Sequence, residues 1–189
     1  MRGTYFDHNA TTPLDPEVRE AMLPWLGGAR SGLPGARGAE GADPGAGASR
    51  WGNPSSVHRF GQAAREAVEA AREQVAELVG CRTPEEIVFT ASGTEANNSV
   101  VASVLGGSAA GGQLVISALE HPSILAAARE WAPRAGTTVV EVAPQGDGVV
   151  EAGRMAAAAG PETRLAALML ANNELGTLQP VAGVAAALR

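Results

Sequence analysis

Four clusters of polar residues, each placed after a short apolar run, carry the chemistry open to this sequence. Ser92-Gly93-Thr94-Glu95 follows Ile87-Val88-Phe89-Thr90, and Glu120-His121-Pro122-Ser123 follows the next run. Pro144-Gln145-Gly146-Asp147-Gly148 and Asn172-Asn173-Glu174-Leu175-Gly176 follow the other two. Gly93 lets backbone approach a ligand closely. A helix starting there turns unpaired N–H groups and a positive dipole end towards an anion, worth ~0.3–1 kcal/mol from the dipole alone. Thr94 either adds its hydroxyl to that anion site or caps its own helix. His121 offers an imidazole that stacks and moves protons; the plainer reading is a cap or surface residue before proline. Asn172-Asn173 is either an ordinary turn or an amide donor to a phenolate or carboxylate.

Other chemistries find less support. The glycines match neither GxxxxGK[ST] nor GxGxxG. Glu120 and Glu174 have no spacing that argues for a two-carboxylate mechanism, no metal-ligand set is expected, and Cys81 in VGCRTPEE reads as structural or incidental.

These clusters need elements to hold them. Runs at 87–90, 114–117, 139–143 and 165–171 read as strands separated by helical patterns, which predicts an α/β domain with a largely parallel sheet flanked by helices. Ligands in such sheets collect beyond the carboxyl ends of the strands, so all the clusters are expected along one sheet edge. The clearest helix is predicted over 57–79. Val57, Phe60, Ala64, Val68, Ala71, Val75 and Leu78 keep 3–4 spacing, Ser55 or Ser56 is placed to cap its start and Gly80 its end. Asp15-Pro16-Glu17 opens a shorter helix ending near Leu26, and His121-Pro122 opens another reaching Trp131. Residues 27–50, GGARSGLPGARGAEGADPGAGASR, read as a flexible Gly/Ala/Pro-rich insertion. The whole is expected to be a single partial domain over 1–189, because a sheet of this size ending on VAGVAAALR reads as part of something longer.

Composition narrows the function. The chain has 189 residues, is 45% hydrophobic and carries a net charge of −6, which disfavours a nucleic-acid surface. No apolar run approaches a membrane span, and a lone cysteine rules out an internal disulfide; a cytoplasmic protein is expected. All 14 residues counted as Lys or Arg are arginine. No lysine Schiff base can form on this chain.

Five stretches, YFDHNATTPLDPEV, WGNPSSVHRFGQAAREAVEAAR, EEIVFTASGTEANN, LEHPSIL and LMLANNELGTLQPV, resemble the cysteine desulfurase and selenocysteine lyase family, within the class-V aminotransferase group. They run in the family's order over 5–181 and cover nearly all of the chain outside the insertion. The resemblance implies part of the large domain of a type I fold that binds pyridoxal 5'-phosphate and works as a homodimer. It further implies that Gly93 and Thr94 bind the cofactor phosphate and that His121 stacks on the pyridine ring and assists proton transfer. Asn173 would contact the phenolic oxygen and the substrate carboxylate side. Asn9-Ala10-Thr11 matches a segment that comes near the substrate.

The implied reaction removes sulfur from L-cysteine to give L-alanine and an enzyme persulfide, with a sulfur acceptor protein downstream. Selenium release from L-selenocysteine and a non-catalytic truncated product are the alternatives. The family's lysine, pyridine-nitrogen Asp, nucleophilic cysteine and substrate-binding arginine fall beyond Arg189, and Cys81 does not occupy the nucleophile's place. No turnover is expected from these 189 residues alone.

Overall fold

The computed structural model describes residues 4–5, 7–8, 10–26, 52–107 and 111–188. The 27–50 insertion and Asn9 lie outside the described residues. The chain divides into two units, Met1–Phe89 and Thr90–Arg189.

The first unit is helical. Helix α1 (Pro16–Met22) starts where expected: Asp15 accepts the Glu17 N–H at 2.8 Å and Pro16 occupies the first position, where no N–H is needed. A 3₁₀ turn, Leu23–Trp25, follows. Helix α2 (Arg59–Val79) is the long amphipathic helix, closed by Gly80 at φ 73°. Its start differs from the expectation. The cap is His58, whose Nδ1 accepts the Gly61 N–H at 3.3 Å, because Ser55 and Ser56 are consumed in a turn on Asn53. The Ser55 N–H reaches Asn53 Oδ1 and the Ser56 N–H its carbonyl, both at 2.9 Å. Cys81 donates its backbone N–H to the Ala76 carbonyl at 2.9 Å, completing the helix end.

Residues 87–90, expected as a strand, form none. The Ile87 carbonyl takes a hydrogen bond from Arg72, and the Arg72 guanidinium lies 5.0 Å from the Phe89 ring centroid. A β-branched run becomes a strand only with a ladder partner, and here a side chain of α2 supplies the hydrogen bond instead.

The second unit is a three-layer α/β sandwich. Helix α3 (Gly93–Gly106) precedes β1 (Gln113–Ser117), α4 (Pro122–Arg134), β2 (Thr138–Val142), α5 (Ala152–Ala158), β3 (Thr163–Ala167) and α6 (Val181–Ala187). The sheet is parallel in the order β2-β1-β3, with Leu114 opposite Val139 on one side and Leu165 on the other. β3 stops short of the expected 171: the chain leaves the sheet, and Ala171 bridges back to Leu178.

All five β1 residues are buried, as befits a central parallel strand covered on both faces. Leu114 and Ile116 pack with Val101 and Leu105 of α3 and with Ala127, Ala128 and Ala132 of α4. Val115, one residue out of phase, packs with Val142, Val150, Met155 and Val184 on the other face. From β1 the chain runs to its neighbour β2, then returns past β1 to β3. The connections leaving β1 and β3 therefore part at their carboxyl ends, which is where open sheets hold ligands.

Among the described residues no helix is long and apolar enough to cross a membrane.

Candidate functional site

Three segments of the second unit meet beyond that sheet edge: the start of α3, the β1–α4 turn and the loop after β3. Each is organised by its own polar side chains.

Ser92, extended at φ −163° and ψ 161°, caps α3 by accepting the Glu95 N–H at 3.1 Å. Glu95 reaches back to the Ala91 N–H at 2.7 Å, a variant of the reciprocal capping box. Thr94 is therefore not the cap: it is the second helical residue, and its hydroxyl is not spent on its own helix. Gly93 and Thr94 are both exposed, and their N–H groups have no acceptor among the described residues. This is the arrangement that receives an anion.

His121 caps α4. Its Nδ1 accepts the Ser123 N–H at 3.1 Å and lies 2.8 Å from Ser123 Oγ. The cap reading holds for Nδ1, while the ring itself is exposed and keeps Nε2 for outside chemistry. Ser123 is buried, and its hydroxyl also receives Asn97 Nδ2 at 2.8 Å. Asn97 lies one turn beyond Thr94, so this bond ties the α3 start to the histidine turn.

In the third segment the two asparagines divide the work. Asn172 is buried: its Oδ1 accepts the Glu174 and Leu175 N–H groups at 2.9 and 2.7 Å, and its Nδ2 donates to the Leu119 carbonyl at 3.0 Å. Asn173 is exposed. Asn172 thus makes the turn and fastens it beside His121, leaving the Asn173 amide outside. Glu120 adds a second tie, accepting the Met169 N–H at 2.6 Å. Burial pushes its carboxyl above the ordinary range, and the Met169 N–H works against that. The 144–150 loop is fastened by buried Gln179, which accepts the Val150 N–H and donates to the Gly148 carbonyl, both at 2.8 Å.

The segments carrying Gly93, Thr94, His121 and Asn173 are thus joined by side-chain hydrogen bonds within one unit. Ala10 and Thr11 belong to the first unit, where both fold back on the Asp7 carbonyl. Sequence reasoning missed Asn97, Ser123 and Glu120 as organisers, while its turn reading of Asn172-Asn173 describes Asn172. The only local signal was that Glu120 and Ser123 lie within two residues of His121.

The arrangement suits a ligand with an anionic end at α3 and a planar, hydrogen-bonding body near His121 and Asn173. A model of the class-V aminotransferase family matches residues 48–189. The chain is 37% identical over 185 residues to a cysteine desulfurase of Cereibacter sphaeroides, covering 98% of this chain and 42% of that protein. It is 38% identical over 182 residues to a cysteine desulfurase of a Frankia species, covering 92% and 38%. Among solved structures it superposes on SspA in complex with cysteine with a TM-score of 0.78 at 29% identity, covering 98% of this chain and 47% of that one. A NifS-like protein gives 0.77 at 31%, covering 97% and 44%. The chain spans well under half the length of the curated relatives it matches.

Proposed function

The chain belongs to the class-V aminotransferase family, and from that premise we propose that it is the phosphate- and ring-contacting portion of a pyridoxal 5'-phosphate-dependent cysteine desulfurase. Its parallel sheet flanked by helices is part of the type I fold of those enzymes. The proposed substrate is L-cysteine, giving L-alanine and sulfur held as an enzyme persulfide for an acceptor protein. The proposed setting is a cytoplasmic homodimer.

The observation that carries this reading is the uncommitted start of α3. Ser92 does the capping, so the N–H groups of Gly93 and Thr94 and the Thr94 hydroxyl are left to hold a phosphate. His121 would lie against the ring and the Asn173 amide would reach its phenolic oxygen. When bound, the cofactor supplies an electron sink for charge developing on the substrate carbon. The protein's part is to seat it by its phosphate, orient its ring and hold a proton at His121. These donors fit the cofactor's anionic and planar parts. The 189 residues contain no lysine, so this chain holds it without a covalent link to a side-chain amine.

That absence favours a second reading, a chain of this fold that binds the cofactor or a partner without turnover. Equilibrium dialysis of the purified chain against pyridoxal 5'-phosphate, followed by borohydride reduction, separates the possibilities. Saturable binding competed by inorganic phosphate, with no reduced adduct on any side chain, is expected. No binding would sink the cofactor-site reading, and a stable side-chain adduct would overturn the non-covalent one. Persulfide formation from L-cysteine by the cofactor-loaded chain alone would exclude the second reading.

A further inference from the structure

The hydrogen bonds around His121 determine which of its nitrogens carries the proton. Ser123 is the second residue of α4, and its backbone N–H points at His121 Nδ1 at 3.1 Å. A backbone N–H can only donate, so Nδ1 must present its lone pair. Ser123 Oγ lies 2.8 Å from the same Nδ1; with the nitrogen acting as acceptor, the hydroxyl must give it its hydrogen. The lone pairs of Oγ then remain for Asn97 Nδ2, a donor, at 2.8 Å. Each direction follows from the one before, and the run starts at a group that cannot reverse.

We propose that Ser123, oriented by Asn97, is a positioning residue that fixes neutral His121 as its Nε2–H tautomer, so the exposed ring offers a donor to the site. In the desulfurase reading, on which this use rests, the ring would hold a proton at Nε2 towards an oxygen of the bound ligand or substrate. The tautomer itself is a property of this chain and does not depend on that reading. It also couples two segments: Asn97 sits on the helix whose start would receive the phosphate, so a change there reaches the His121 proton through two hydrogen bonds.

His58 provides an internal comparison. It also caps a helix through Nδ1, accepting the Gly61 N–H at 3.3 Å, without a bond to a hydroxyl among the described contacts. The test is long-range proton–nitrogen correlation NMR on the full chain labelled at histidine nitrogens, at a pH where the rings are neutral. His121 is assigned by the signal lost in His121→Gln. The expected wild-type result is a pyridine-type Nδ1 and a pyrrole-type Nε2, more one-sided than at His58.

Ser123→Ala removes one of the two donors to Nδ1 and should lower the tautomer ratio about two- to tenfold, the worth of one neutral hydrogen bond. Ser123→Thr, which keeps the hydroxyl, should restore it. Asn97→Asp should shift the ratio further, because a carboxylate draws the Ser123 hydroxyl hydrogen to itself and turns an oxygen lone pair towards Nδ1. Circular dichroism identifies any variant that fails to fold; Ser123→Ala and Ser123→Thr decide the matter if Asn97→Asp does. A pyrrole-type Nδ1 in the wild type would overturn the proposal. So would an unchanged ratio in folded Ser123→Ala, since the backbone N–H alone would then suffice. Failure to bind pyridoxal 5'-phosphate would leave these signals where they are and would count against the functional reading only.

Discussion

Glu120 Oε1 lies 2.6 Å from the backbone nitrogen of Met169, so a buried carboxylate joins the turn after β1 to the chain leaving β3. Burial raises this carboxyl above its ordinary range, more than the Met169 N–H lowers it. A carboxyl whose pKa is higher folded than unfolded stabilises the fold fully below the unfolded value, and loses that contribution as pH rises through the folded one. Glu120→Gln keeps an acceptor for Met169 and does not titrate. The stability of the wild type relative to Glu120→Gln should therefore be most favourable in acid and decline as pH rises through the ordinary carboxyl range and above it. Thermal melts of both proteins across that range check it; a flat difference would contradict the burial argument.

The Leu119–Asn172 hydrogen bond, 3.0 Å long, fastens the same two segments one residue away. Asn172→Asp keeps the acceptor for Glu174 and Leu175 but sets an oxygen against the Leu119 carbonyl, and should destabilise by about 1–3 kcal/mol. Because Glu120 and Asn172 share the joint, their substitutions should be non-additive by about 0.5–3 kcal/mol in urea unfolding. Simple additivity would mean that the two ties act independently.

Gly93 permits a test that removes one donor and little else. Proline is tolerated at the first helical position, and the residue before proline must be extended, as Ser92 already is. A side chain at 93 would meet nothing within 4 Å. Gly93→Pro should fold and lose about ten- to a hundredfold in affinity for pyridoxal 5'-phosphate, the worth of a hydrogen bond to a charged group. Gly93→Ala, which keeps the N–H, should change affinity little. Equal behaviour of the two variants in equilibrium dialysis would remove Gly93 from the phosphate site.

Two helical glycines should respond with opposite signs to alanine. A Cβ at Gly61 would stand 2.3 Å from the Ser56 carbonyl oxygen and 2.7 Å from that of Asn53, whereas one at Gly153 would meet nothing within 4 Å. Gly153→Ala should stabilise by roughly 0.5–1 kcal/mol, the ordinary helix preference. Gly61→Ala should cost about 1–3 kcal/mol, because backbone must move to admit the methyl group. Denaturant melts of both variants give the two signs directly.

Much of this protein was legible where the deciding interactions are short in sequence. The 3–4 spacing from Phe60 to Leu78, the Gly80 stop and the Asp15-Pro16 start each depend on residues within a turn or two, and each helix formed near its expected bounds. The apolar runs of β1, β2 and β3 were equally plain, as was the family, whose motifs survive as contiguous words. The sequence leaves Thr94 between capping α3 and facing a ligand, and the structure gives the cap to Ser92. Both residues carry a hydroxyl, and only the extended backbone of Ser92 and its reach to the Glu95 N–H distinguish them.

What tertiary structure alone decided is pairing at long range. Residues 87–90 have the composition of a strand, yet a strand exists only through a neighbour, and Arg72 of α2 took the Ile87 carbonyl instead. Asn97 meets Ser123 across 26 residues, and Glu120 meets Met169 across 49. Nothing in LEHPSIL says that its glutamate is buried or that its serine directs a histidine proton. Residue type determines which groups can donate or accept; which partner stands within 3 Å is settled by how helices and strands pack, and that depends on side chains far apart in the chain.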